Sequence, residues 1–267
     1  MSRPPVHPTR GSRPVEIPYT PDPWPGSCPR FGLIVLTLDH ATEQELPRMV
    51  PRGRAEFFAS RVQVRNPVTV ENLRRTGDDL GQAAARLLPG TPLQGLAYAC
   101  TSGAIAVGED EVRARIRAAS PDFAQVPIST PVVAAEAALA HLGARRVAVL
   151  TPYPDEVNDT VRDHLQAHGV EVVSLDSFRL DNDLAMSSVP PSAIAAAGRA
   201  LMADSPEAEA LFVCCTALRP AAVIAELESA VGRPVVTSHQ AMLWDMLRRS
   251  GDDGGPVRGY GQLLESL

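Results

Sequence analysis

The sequence predicts an α/β protein of two similar doubly wound domains, each a parallel sheet covered by helices, with a cleft between them. Three observations predict it. From Phe31 onward, short apolar runs alternate with stretches of helical periodicity. The runs are apolar on both faces, as in strands buried between two helical layers. Landmarks of the first half then recur in the second, in the same order. Leu33-Ile34-Val35-Leu36-Thr37 matches Val147-Ala148-Val149-Leu150-Thr151, and Cys100 and Cys215 follow those threonines by 63 and 64 positions. Val126–Thr130 matches Arg233–Thr237, each followed by a helical pattern, and Asn66 and Asn182 lie 29 and 31 positions after their threonines.

Taken in order, residues 1–29 hold nine prolines and little that could form an apolar face. This composition predicts an extended, disordered tail. Trp24 and Cys28 lie in it, and Cys28 reads as an incidental exposed thiol. Phe31–Thr37 reads as a buried strand, Arg61–Val64 as the second, Leu93–Cys100 as the third and Val126–Thr130 as the fourth. Helical periodicity covers 70–88 and 108–119. In the second half the strands are 146–151, 171–175, 210–215 and 234–237. The helices there are 155–168, 192–203 and 220–231. The resulting division is 30–130 plus 238–267 for the first domain and 131–237 for the second.

Composition narrows the function. The chain of 267 residues is 45% hydrophobic and 21% charged, with a net charge of -6. That balance is globular. It offers no basic stripe for nucleic acid and no apolar run long enough to span a membrane. The N-terminus lacks the apolar core of a secretory signal. The four cysteines show no metal-ligand or disulfide spacing. A cytoplasmic protein with reduced thiols is expected.

The chemistry centres on Cys100 and Cys215. Each ends an apolar run, each is followed by Thr, and each precedes a helical pattern. In open α/β sheets the ligand crevice lies beyond the carboxyl ends of the strands, which is where both thiols fall. The N–H groups at the start of a following helix would lower each thiol pKa and help hold a thiolate near neutral pH. They could also hold a substrate carboxylate or an enediolate. Thr101, Ser102 and Thr216 add hydroxyls. Cys214 points to the other side of its strand and reads as core. Asp39 and Tyr153 occupy equivalent positions after the first strand of each half, and both should face the cleft. Asp39 can equally cap the helix through Glu43 and Glu45. His40 and His239 lie near strand ends. His141, His164 and His168 sit in helical patterns, without metal-ligand spacing.

Along residues 31–250 the chain resembles the aspartate/glutamate racemase superfamily, in the branch of maleate cis–trans isomerase and arylmalonate decarboxylase. The motifs are Glu43-x-Glu45-Leu46-Pro47, Ala99-Cys100-Thr101-Ser102, Leu150-Thr151-Pro152-Tyr153, Asp181-Asn182 before Pro191, and Cys215-Thr216-x-Leu218-Arg219. The resemblance implies two α/β domains related by a pseudo-two-fold axis and no cofactor or metal. It places catalysis on Cys100 and Cys215, and substrate contacts on Thr101, Ser102, Tyr153, Asn182 and Thr216. Within the branch, arylmalonate decarboxylase is expected to keep only the second cysteine, so Cys100 favours isomerase or racemase chemistry. Maleate isomerase is expected to carry Asn where this chain has Asp39. An ionised Asp39 would repel a dicarboxylate and suits a substrate with an ammonium or hydroxyl group. The stretch Thr37-x-Asp39-His40 and the run Cys215–Arg219 look most like ectoine-utilisation members.

The expected function is therefore a cofactor-independent two-cysteine isomerase or racemase acting on a small carboxylate. Two alternatives stay open: a decarboxylase using Cys215 alone, and a non-catalytic carboxylate-binding protein. A small carboxylate is the expected partner, with self-association into a homo-oligomer left open.

Overall fold

The computed structural model describes residues 16–20 and 28–267. The expected disordered tail over 1–29 lies largely outside the described residues. The first half runs β1 (Arg30–Leu36), α1 (Thr42–Arg48), β2 (Glu56–Val62), α2 (Val70–Arg75), α3 (Leu80–Ala85), β3 (Gly95–Tyr98), α4 (Thr101–Val107), α5 (Glu109–Ala118), β4 (Ile128–Ser129) and α6 (Pro131–His141). The second runs β5 (Arg146–Thr151), α7 (Asp155–Ala167), β6 (Glu171–Ser177), α8 (Asp183–Ser188), α9 (Pro191–Asp204), β7 (Ala210–Val213), α10 (Ile224–Val231), β8 (Val235–Thr237), α11 (Ser238–Arg249) and α12 (Gln262–Glu265).

The strands form two four-stranded sheets, β2-β1-β3-β4 and β6-β5-β7-β8, and every pairing is parallel. The two orders are the same, so the repeat read in the sequence is a repeat of topology. Central strands β1, β3, β5 and β7 are almost wholly buried, as strands covered on both faces must be. Helices α6 and α11 follow the last strand of each sheet and pack against each other.

Several elements depart from expectation for physical reasons. β2 begins at Glu56, not Arg61, because it is an edge strand whose half-exposed residues carry no continuous apolar signal. The helix expected over 70–88 is broken by a 3₁₀ turn at Thr76–Asp79. There the Thr76 hydroxyl donates to the Leu73 carbonyl at 2.5 Å, competing with the helical ladder. β3 and β7 stop two residues short of their cysteines because both cysteines have left the ladder.

Candidate active site

Four loops leave the carboxyl ends of the central strands and meet. In each sheet the two central strands, β1 beside β3 and β5 beside β7, flank the point where the strand order reverses. That is where α/β sheets open a crevice. Asp39 follows β1, Cys100 follows β3, Tyr153 follows β5, and Cys215 follows β7. All four line one cavity, together with Ser102 and Thr216. Val68 and Leu73 close it from the first half, Asp183 and Met186 from the second. The two roofs meet where the Val68 N–H donates to the Asp181 carbonyl at 2.6 Å. The space is tight: about 20 Å³ is open to the centre of a water-sized sphere, room for roughly one water. A wider depression beside Asp155 and Arg179 contains neither thiol.

The two thiols are held differently. Cys100 is the N-cap of α4, and its Sγ accepts the Gly103 N–H at 3.3 Å. Residue 103 must be glycine here, because a Cβ would lie 2.4 Å from the Tyr98 hydroxyl and 2.7 Å from Cys100 Sγ. Cys215 has no helix behind it. The chain turns through Thr216 and Ala217, and helical structure resumes only at Ala221. The expected helix N-terminus is therefore absent at Cys215, and the Ala217 N–H replaces it at 3.2 Å from Sγ. Cys215 also has φ of 124°, a left-handed conformation that side chains other than glycine rarely adopt. Strain of this kind collects at functional sites.

Neither thiol rests as a thiolate, which corrects the expectation of a lowered pKa. Burial pushes Cys100 up to about 12, and the Gly103 N–H offsets only part of that. Burial likewise pushes Cys215 up to about 12, against the hydrogen bond with Tyr153 and the Ala217 N–H. Each thiol has a tyrosine hydroxyl beside it, Tyr98 for Cys100 and Tyr153 for Cys215. Both phenols are themselves raised by burial. Cys214 is fully buried and lies outside the cavity lining, as its place on the strand suggested.

The hydroxyls of the paired threonines are engaged in hydrogen bonds that link the two thiol loops. The Thr101 hydroxyl bonds Ser238 Oγ at 2.9 Å, and Ser238 Oγ accepts the Cys215 N–H at 2.9 Å. The Thr216 hydroxyl donates to the Ala99 carbonyl at 2.9 Å. These bonds tie each thiol's loop to the other. Thr101 is outside the lining, whereas Thr216 is within it. Asn182 is also outside the lining. Its side chain caps α8, accepting the Ala185 N–H at 2.8 Å.

Asp39 faces the cavity as expected, but the N-cap of α1 is Ala41, and Asp39 binds the start of that helix from one turn before it. Its Oδ1 accepts the N–H groups of Ala41 and Thr42 at 2.8 and 2.9 Å, and its Oδ2 accepts the Thr42 hydroxyl at 2.6 Å. The Thr42 oxygen in turn accepts from His239 Nε2 at 2.9 Å. His40 is exposed, and His239 lies fully buried behind Asp39. Asp183 was not singled out in the sequence. It lies one residue past the Asp181-Asn182 motif and reaches the cavity where Asn182 does not. Away from the site, Glu136 on α6 meets His164 on α7 and His168 just past its end, with His164 Nε2 at 2.9 Å from Glu136 Oε1. Glu136 is remote in sequence from the two histidines, so spacing could not reveal the group.

Comparison with known proteins identifies the family and the fold. The family model for arylmalonate decarboxylase matches residues 32–264. A maleate isomerase of Nocardia farcinica is 26% identical over 88% of this chain and 95% of its own length. An arylmalonate decarboxylase of Bordetella bronchiseptica is 29% identical over 52% of this chain and 58% of its own. The crystal structure of the maleate isomerase Iso from Pseudomonas putida S16 superposes with a TM-score of 0.81, at 26% identity, covering 89% of this chain and 98% of that one. The chain belongs to the arylmalonate decarboxylase family, which the maleate isomerases share.

Proposed function

We propose that this member of the arylmalonate decarboxylase family is a cofactor-independent isomerase or racemase that works on a small carboxylate with two thiols. One observation carries the reading: Cys100 and Cys215, one from each sheet, line a single cavity at the strand ends. In the cis–trans version, the Cys100 thiolate adds to a carbon–carbon double bond, and Cys215 gives its proton to the neighbouring carbon. The new single bond rotates. Cys215 retrieves the proton, and the Cys100 carbon–sulfur bond breaks. In the racemase version one thiolate removes the α-proton and the opposite thiol returns one to the other face. Either version needs the pair to hold one proton, so a resting pair with both thiols protonated must lose one before chemistry. Ser102 and Tyr153 are suited to the carboxylate and the enediolate, since both line the cavity with hydroxyl groups. Asp39 favours an amino- or hydroxy-substituted acid. The motifs shared with ectoine-utilisation members favour a place in ectoine breakdown. The thiol chemistry suits the reducing cytoplasm. Among the described residues, no helix is long and apolar enough to cross a membrane.

The second reading is decarboxylation with Cys215 as sole proton donor. It is favoured by the family model and by the strained, tyrosine-bonded setting of Cys215 alone. Proton NMR in heavy water, with maleate, aspartate, diaminobutyrate and an arylmalonate, separates the two. We expect deuterium to wash into an α-position, or a geometric isomer to appear. Cys100→Ala should abolish that activity, with a loss of at least ~1,000-fold when one covalent or proton-transfer group is removed. Arylmalonate decarboxylation that survives Cys100→Ala would replace the isomerase reading. No turnover of any acid, with thermal stabilisation by one of them, would make the protein a binder.

A further inference from the structure

Two of the groups lining the cavity bear carboxyl groups. Asp39 comes from the loop after β1 and Asp183 from the start of α8. Among the described residues, no arginine, lysine or histidine lines the cavity with them. Asp183 is 6% exposed, and its Oδ2 has no hydrogen-bond partner. The lining around it mixes the apolar Val68, Leu73 and Met186 with the two thiols, whose own pKa values the charge of Asp183 raises. Asp39, by contrast, is fixed in place by its three donors. Burial raises the Asp183 pKa, and the charge of Asp39 raises it further. A buried carboxylate without a partner, near a second one, is costly unless it takes up a proton or a cation joins them.

We infer that Asp39 and Asp183 form a specificity-determining wall that takes the ammonium group of an amino-acid substrate and excludes a second substrate carboxylate. This rests on the reading of the two-thiol cavity as the substrate site. An ammonium offers three N–H donors, enough to satisfy Asp183 Oδ2 and to reach Asp39 from the opposite half. A dicarboxylate would bring another negative charge against both groups, with no cation among the described lining residues to offset it. The tightness of the cavity strips water from the bound group, which sharpens the discrimination.

The test uses two inert acids of equal chain length, 4-aminobutyrate and succinate, which differ at one end by ammonium against carboxylate. Neither has a double bond or a stereocentre, so binding is read on the intact wild-type protein by calorimetry at pH 8. We expect 4-aminobutyrate to bind at least ~30-fold more tightly than succinate, because like charges in an enclosed site are strongly disfavoured. Asp183→Asn should cut that ratio at least ~10-fold, and Asp39→Asn combined with Asp183→Asn should reverse it. The ratio is internal to each protein, so partial loss of folded material does not mimic the effect. Should the double variant fail to fold, the single Asp183→Asn ratio decides. Succinate binding as tightly as 4-aminobutyrate, a ratio unmoved by Asp183→Asn, or no binding of 4-aminobutyrate would each overturn the inference. Ammonium-selective binding with neither deuterium exchange into any acid nor a geometric isomer from any would sink the isomerase reading and leave this one standing. Maleate turnover with succinate preferred would do the reverse.

Discussion

Cys215 holds a backbone conformation that disfavours its own side chain. A φ of 124° costs of order 1–3 kcal/mol for a residue with a Cβ. Glycine would relieve it. Cys215→Gly should therefore be about 1–2 kcal/mol more stable than Cys215→Ala, although both lack the thiol. Urea unfolding of the two variants measures this, and an alanine variant as stable as the glycine one would mean that no strain is stored there. The residue itself was legible in the sequence, because it ends an apolar run and is followed by Thr like its counterpart. Its strain and its high pKa were not. Both depend on what surrounds the thiol: the turn through Ala217 and its burial.

The short helix α1 is joined to α11 by a buried polar chain, from the Asp39 carboxylate through the Thr42 hydroxyl to His239. The Thr42 proton goes to Asp39, so His239 Nε2 carries the hydrogen that Thr42 accepts. Burial pushes the His239 pKa down to about 4, against 6.5 when unfolded. As pH falls through 6.5 the unfolded chain takes up this proton, while the folded chain resists until near 4. The stability that neutral His239 provides is thus whole above about 6.5 and declines toward pH 4. Wild type should lose its advantage over His239→Asn by about 1 kcal/mol per pH unit across that window, read by urea unfolding at several pH values. A constant advantage would show that His239 is charged in the folded protein. At this scale the central strands were plain in the sequence, since burial on both faces leaves continuous apolar runs. Edge strand β2, the break at Thr76 and helix α8 were not, because local hydrogen bonds and half-exposed faces decide them.

The two sheets converge on one cavity because the loops bearing the thiols are bonded to each other. Ser238 accepts the Cys215 N–H and bonds the Thr101 hydroxyl, while Thr216 reaches back to Ala99. Ser238→Ala would leave a buried N–H and a buried hydroxyl without partners, a cost of about 2–3 kcal/mol. Thermal or urea unfolding measures it, and a loss below about 0.5 kcal/mol would show that these bonds do not hold the thiol loops together. The threonines after each cysteine were visible as a repeat, but that repeat did not reveal that they brace the site. The sequence by itself determined the repeated α/β topology and the two thiols at strand ends, because apolar periodicity and spacing are local properties of the chain. Only the tertiary structure decided which polar groups share the cavity. Asp183 reaches it and Asn182 does not, since a helix start turns adjacent side chains in different directions. The protonation of the paired cysteines was settled there as well, because desolvation outweighs the few N–H donors that the motif provides.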